Sequence, residues 1–143
     1  GAKFPINALI GYTFIDPKFK DFGEQEMNSS SSTKNILKYR YQHTGKLDIA
    51  TDYPKFNLGI AGFYYTNMDA VDRLFEFFIP GLKEYREANN QPFSIWNVRL
   101  SYALTTKLKA SLHANNIGNQ EYTLRPALIE PPRNFTLRID ITL

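Results

Sequence analysis

Six stretches of this chain alternate apolar and polar side chains with period two, and no other feature narrows its fold so far. In the first, Phe4 to Ile15, the residues Ile6, Ala8, Ile10, Tyr12 and Phe14 share one face. The second, Thr44 to Tyr53, sets Leu47, Ile49 and Tyr53 against Lys46, Asp48 and Asp52; the third, Phe56 to Thr66, aligns Leu58, Ile60 and Tyr64. In the fourth, Phe93 to Leu104, Trp96, Val98, Leu100, Tyr102 and Leu104 oppose Asn97, Arg99 and Ser101. The fifth opposes Leu108, Ala110, Leu112 and Ala114 to Lys107, Lys109, Ser111, His113 and Asn115. The sixth opposes Phe135, Leu137, Ile139, Ile141 and Leu143 to Asn134, Thr136, Arg138, Asp140 and Thr142. Successive side chains of a strand point to opposite faces, so alternation of this length marks strands with one apolar and one polar side. Six in a row predict an all-β fold.

The connections alternate too. Lys18 to His43 is long and polar and holds the low-complexity run Asn28-Ser29-Ser30-Ser31-Ser32, read as a flexible loop tip. The turn at Pro54-Lys55 is tight, Met68 to Pro92 is long, Thr105-Thr106 is short, and Gly118 to Pro132 is of middling length. Long and short connections in turn are the pattern of an antiparallel up-and-down transmembrane β-barrel, with large loops outside and tight turns on the periplasmic side. Lipid offers no partner to an open strand edge, which is why strands that cross a membrane close into barrels. Taking the long loops as outside, Phe4, Tyr53, Phe56 and Tyr102 fall near the inner rim, and Tyr12, Phe14, Tyr64, Trp96 and Tyr122 near the outer one. From Phe56 to Tyr64 a tilted strand climbs roughly 20 Å, close to the roughly 25 Å apolar band of such barrels. In the second long connection Val71, Leu74, Phe75 and Phe78 fall at helical spacing, which predicts a short helix over Asp69 to Phe78 ended by Ile79-Pro80-Gly81.

Composition excludes more than it identifies. The chain of 143 residues has the length of one domain. Its net charge of +3 comes from scattered Lys and Arg, whereas a nucleic-acid surface needs them clustered, so no nucleic-acid partner is expected. No Cys is present, which removes disulfides and thiolate metal sites. No apolar run reaches the roughly 18 residues of a membrane-spanning helix, but a barrel strand needs only about 9–11 residues with every second one apolar. A mean hydropathy of −0.38 therefore does not argue against a membrane. Gly1-Ala2-Lys3 runs almost directly into the first alternating stretch with no signal peptide, as in a mature chain or a fragment beginning in mid-fold.

The last third carries a family resemblance. Trp96 to Tyr102, then Leu108 through Asn115-Asn116-Ile117-Gly118-Asn119-Gln120-Glu121-Tyr122, then Pro131-Pro132-Arg133 and a closing strand resemble the C-terminal end of TonB-dependent outer-membrane receptors. Asn115, Asn116, Asn119, Tyr122, Pro132 and Arg133 are the matching positions. Leu37-Lys38-Tyr39-Arg40 with His43-Thr44 is similar to the family's entry from an extracellular loop into a descending strand. Ile79-Pro80-Gly81 before Tyr85-Arg86 is similar to a loop of Bacteroidetes-type receptors. The resemblance covers nearly the whole chain. It implies the last six strands of a barrel of about 22, with about sixteen strands, the plug domain and the N-terminal TonB-contacting segment lying elsewhere in the polypeptide. It also implies active import of a scarce nutrient (iron–siderophore, haem, cobalamin or glycan) across the bacterial outer membrane, with energy delivered by the TonB complex. Leu143 departs from the aromatic residue on which the family usually ends.

No enzyme is expected. Asp48 with Asp52, or Glu84 with Glu87, would be paired carboxylates, but nothing places either pair around a scissile bond, and no Ser-His-Asp arrangement can be argued. His43 and His113, on separate strands, form no ligand motif, so no metal site or cofactor is expected. Arg99, Lys109, Arg138 and Asp140 share polar faces of three successive strands and suggest a cross-strand charge ladder. Asn115-Asn116 and Gly118-Asn119 suit turn chemistry at a strand exit. The ligand-binding candidates are the loop residues Phe75, Phe77, Phe78, Tyr85, Arg86, Tyr122 and Arg125, since aromatic and Arg side chains at an outer mouth suit first contact; loops packing on one another would use the same residues. A soluble lipocalin-like ligand-binding barrel has a similar length, but it puts its apolar face inside and has short, even connections.

Overall fold

The computed structural model describes residues 5–142. The expected rim position of Phe4 and the apolar-face position of Leu143 lie outside them. All six alternating stretches form strands of one sheet: β1 (Ile6–Phe14), β2 (His43–Asp52), β3 (Phe56–Tyr65), β4 (Phe93–Ala103), β5 (Leu108–Asn115) and β8 (Asn134–Ile141). Their order is β1-β2-β3-β4-β5-β8, every neighbouring pair is antiparallel, and each strand pairs with the one before it in the sheet without a crossover. The sheet is open, with β1 and β8 as its edges among the described residues.

Directly paired residues of an antiparallel sheet share a face, so the register shows what each face carries. Ile10↔Leu47, Ile49↔Ile60, Leu58↔Leu100, Leu100↔Leu112 and Leu112↔Leu137 run across the sheet as one apolar surface. That surface is the open one: Ile10 is 81% exposed and Leu137 69%. The other face carries Asp48, Asn97, Arg99, Ser111 and His113, and there Ser111 and Ile95 are buried. Two glycines adapt the faces to large neighbours. A Cβ on Gly59 would lie 2.4 Å from the Arg99 guanidinium carbon, so Arg99 crosses β3 here and reaches Asp48 on β2 at 2.5 Å. On the apolar face a Cβ on Gly62 would lie 2.7 Å from the Trp96 ring, which covers that glycine. The expected charge ladder is therefore rearranged. Arg138 pairs with Asp140 of its own strand at 2.6 Å, and Arg99 pairs with Asp48 because the gap at Gly59 lets its long side chain choose a diagonal partner.

The tight end of the sheet follows from its turns. Tyr53 and Phe56 exchange backbone hydrogen bonds of 2.7 and 3.3 Å around Pro54-Lys55, where proline needs no donor. Between β4 and β5, Thr105 N–H donates to Leu108 O at 3.1 Å, so Lys107 belongs to the turn and not to the strand.

The loop end departs further from expectation. Helix α1 (Glu24–Ser29) stands in the first long connection, and α2 (Arg73–Phe78) and α3 (Leu82–Ala88) in the second. Helix α2 starts later than expected because Asp72 caps it, accepting from Leu74 N–H at 3.0 Å, while the residues before it pair with the first loop. Ser31 N–H donates to Val71 O at 2.9 Å, Val71 N–H to Ser31 Oγ at 3.0 Å and Tyr39 N–H to Ala70 O at 2.8 Å. Val71, Ala70 and Ser30 are buried in this junction. The serine run is thus a packed seam and not a flexible tip: small hydroxyl side chains fit between two backbones and satisfy their donors. Val71 points into the seam, while the other expected helix-face residues, Leu74, Phe75 and Phe78, are exposed. In the third connection a small hairpin, β6 (Thr123–Arg125) with β7 (Leu128–Ile129), forms where the sequence shows no alternating stretch.

A candidate ligand-binding cleft at the loop end

The polar face changes character as it nears the loops. Phe63, Tyr65, Phe93 and Ile95 occupy its last positions on β3 and β4. Tyr65 and Phe93 are paired in register and stack with ring centroids 5.4 Å apart. Tyr41, arriving from the first loop, lies 5.2 Å from Tyr65, and Tyr122, arriving from the third, lies 5.5 Å from Phe93. Four rings from two connections and two strands thus form one cluster. Its Tyr41 hydroxyl donates to Thr123 O at 2.9 Å, tying the first loop to the β6–β7 hairpin. Burial, then the neighbouring Tyr65 and Glu130, push the Tyr41 phenol up to about 12, so it remains a donor. Burial and the same two neighbours raise Tyr122, Glu130 before Tyr65.

Tyr122 is held there by the asparagine motif. Asn116, almost fully buried with φ 49°, donates from Nδ2 to Gln120 O at 2.8 Å and accepts Gln120 N–H on Oδ1 at 2.9 Å. Its own N–H donates to Asn97 Oδ1 at 2.9 Å. Asn119, at φ 50°, accepts Arg133 N–H at 3.0 Å, and Asn115 Nδ2 donates to Asn134 Oδ1 at 2.9 Å. Asn tolerates the left-handed region better than most residues and carries both a donor and an acceptor, so it can turn the chain and brace the turn at once. The expected turn chemistry at the end of β5 is what these residues perform.

Two cavities flank Tyr122. One, of about 320 Å³, opens between the second loop and Gln120–Thr123 and is lined by Tyr41, Tyr85, Asn90, Gln91, Phe93 and Tyr122 among others. The other, of about 360 Å³, lies over the sheet beneath the hairpin, against Phe63, Ile95, Asn97 and Leu124. Of the seven loop residues singled out in the sequence, the first cavity brings together Tyr85, Arg86 and Tyr122. Arg86 is engaged with its own loops: it pairs with Glu76, donates to Met68 O at 3.0 Å and reaches Ser31 Oγ at 3.2 Å. Burial chiefly, and a hydrogen bond with Glu121, raise the Tyr85 phenol. Phe75 packs edge-on against Tyr39 at 6.2 Å, while Phe77 and Phe78 contact each other at 5.1 Å on the exposed surface of α2. Arg125 stands exposed on β6, outside both cavities. The rim expectation fails for Tyr122, which joins the ring cluster of the opposite face instead of Tyr12, Tyr64 and Trp96. Tyr41, Tyr65 and Phe93 are the site residues that sequence reasoning passed over. The signal was present in Phe63-Tyr64-Tyr65 and in Phe93 with Ile95, where apolar residues interrupt the polar half of the alternation.

The fold has a solved counterpart. The chain superposes with a TM-score of 0.69 on the ferric-catecholate import receptor Fiu from E. coli K12 in its closed form, at 15% sequence identity. The match covers 95% of this chain and 18% of the receptor, so the chain spans less than a fifth of the protein it matches. At this identity the likeness concerns the fold: six antiparallel strands and their loops follow the path of a stretch of an import receptor. No protein-family model and no curated protein matches the sequence.

Proposed function

We propose that this chain is a wall segment of an outer-membrane β-barrel receptor that imports a scarce nutrient with energy delivered through TonB. The observation that carries the reading is the inverted sheet: its open face is apolar along its length and bordered by Tyr12, Tyr64 and Trp96 at one end and Phe56 and Tyr102 at the other. Such a face suits lipid, and aromatic side chains suit the two membrane interfaces. The polar face and the half-buried ring cluster then look toward a lumen that a plug domain of the same polypeptide fills. The path shared with an import receptor supports the same reading, and the partners it implies are outer-membrane lipid, the plug, the TonB complex and a small nutrient. In the lipocalin-like alternative the apolar face would line the interior.

Spin labels decide between the two. Introduced in the full-length protein in lipid, labels at Leu100, Leu112, Leu137 and Ile139 are expected to be accessible to oxygen, and labels at Arg99, Ser111 and Arg138 to a water-soluble relaxation agent. The reverse pattern would overturn the membrane reading. Transport is tested separately, by nutrient uptake in cells with and without TonB; equal uptake in both would remove the energised step.

A further inference from the structure

We infer that the cleft between the second loop and Gln120–Thr123 binds a neutral, hydroxyl-rich ligand, of which a neutral oligosaccharide is the representative class. The inference deepens the import reading and rests on it for the side from which the ligand arrives. The argument begins with charge. The cleft's ionic lining residues are Arg86 and Glu121. The Arg86 guanidinium is engaged with Glu76, Ser31 and the Met68 carbonyl, whereas the Glu121 carboxylate is exposed and, among the described residues, hydrogen-bonded only with the neutral Tyr85 phenol. An anion entering here, such as a ferric tris-catecholate, would meet a carboxylate and no uncommitted cation among the described residues. Neutral hydrogen-bonding groups are plentiful instead. The side chains of Asn90 and Gln91 are exposed in the lining and make no hydrogen bond among the described residues. Each amide offers donors and an acceptor side by side, which matches hydroxyls that both donate and accept. The half-buried rings of Tyr85 and Tyr122 add apolar surface for the C–H face of a sugar ring. A volume of about 320 Å³ is at the lower end of ligand pockets, which run from about 300 to 1,000 Å³, so the cleft takes the end of a chain and leaves the remainder outside.

The test is glycan-array binding by the full-length protein in detergent, followed by calorimetry with the best neutral oligosaccharide and, in parallel, with ferric tris-catecholate. A neutral oligosaccharide is expected to bind and the catecholate not to compete. Asn90→Ala with Gln91→Ala is expected to weaken glycan binding by about tenfold or more, as for lost ligand hydrogen bonds, and Tyr122→Ala to abolish it. Asn90 and Gln91 are exposed, so their double variant keeps the fold; unchanged heat-modifiable migration on gels checks this. Binding of the catecholate with no neutral glycan bound would overturn the inference and leave the import reading standing, as would glycan binding indifferent to the double variant. Loss of TonB-dependent uptake as a property of the whole protein would count against the import reading alone.

Discussion

At the scale of single residues, a few short polar side chains and two glycines decide where larger groups sit. Asn116 combines a left-handed backbone with two side-chain hydrogen bonds to Gln120 that bind the end of β5 to the segment bearing Tyr122, while its N–H ties that end to Asn97 of β4. Asn116→Ala removes the side-chain hydrogen bonds to the Gln120 N–H and carbonyl, a loss of about 0.5–1.5 kcal/mol for each. Asn116→Gly removes the same contacts but relieves the backbone. Both variants are expected to melt earlier than the parent, Ala further than Gly, with heat-modifiable gel migration as the readout; equal stability to the parent would remove the brace. Gly59 acts by absence. In Gly59→Ala the new methyl takes the place of the Arg99 guanidinium, whose pairing with Asp48 is partly exposed and screened by solvent. A double-mutant cycle between Asp48→Asn and Arg99→Gln is expected to show coupling in the parent and none in the Gly59→Ala background.

At the scale of elements, the sheet and the loops owe their order to different interactions. Strands hold by ladder bonds, while the first and second loops hold by a seam in which Lys38 and Asp72 pair at 2.8 Å. The Lys38 hydrogen bond first, and the Leu74 N–H second, hold the Asp72 carboxyl below its ordinary value of 3.8. The docked loops therefore bind this proton less tightly than separated loops do. Docking is at full strength above pH 3.8 and is lost as pH falls below it, through the depressed value. Hydrogen exchange at the Ser31 and Val71 amides is expected to quicken in that acid range, beyond the intrinsic pH effect, and Asp72→Asn is expected to remove the acid-dependent part. If the variant retains the full acid response, another carboxylate governs the seam.

At the scale of the whole molecule, the open sheet has a consequence for solubility. The edges β1 and β8 present unpaired backbone groups, and both carry exposed apolar residues, Ile6, Ile10, Leu137 and Ile141 among them. Each edge is a template for another strand. Residues 1–143 expressed alone are expected to associate in water, and the full-length protein to be monodisperse in detergent. Sedimentation without detergent measures this directly, and a compact monomer there would mean that the apolar face is covered by other means than lipid.

The amino-acid sequence by itself determined the strands, their faces and their order, because a period of two over eight or more residues is a local property that survives without knowledge of neighbours. It also determined that Asn116 and Asn119 turn the chain, since their chemistry favours turns in any context. Only the tertiary structure decided what the loops do. Whether Ser30 is a mobile tip or a buried seam depends on Val71 and Asp72 arriving opposite it, some forty residues away in the chain. Arg99 chooses Asp48 because Gly59 lies between them, and Tyr122 leaves the rim because Phe93 offers it a ring. Periodicity is written in adjacent residues; partnership is settled by distance in space, and that exists only after the strands have brought the loops to one end.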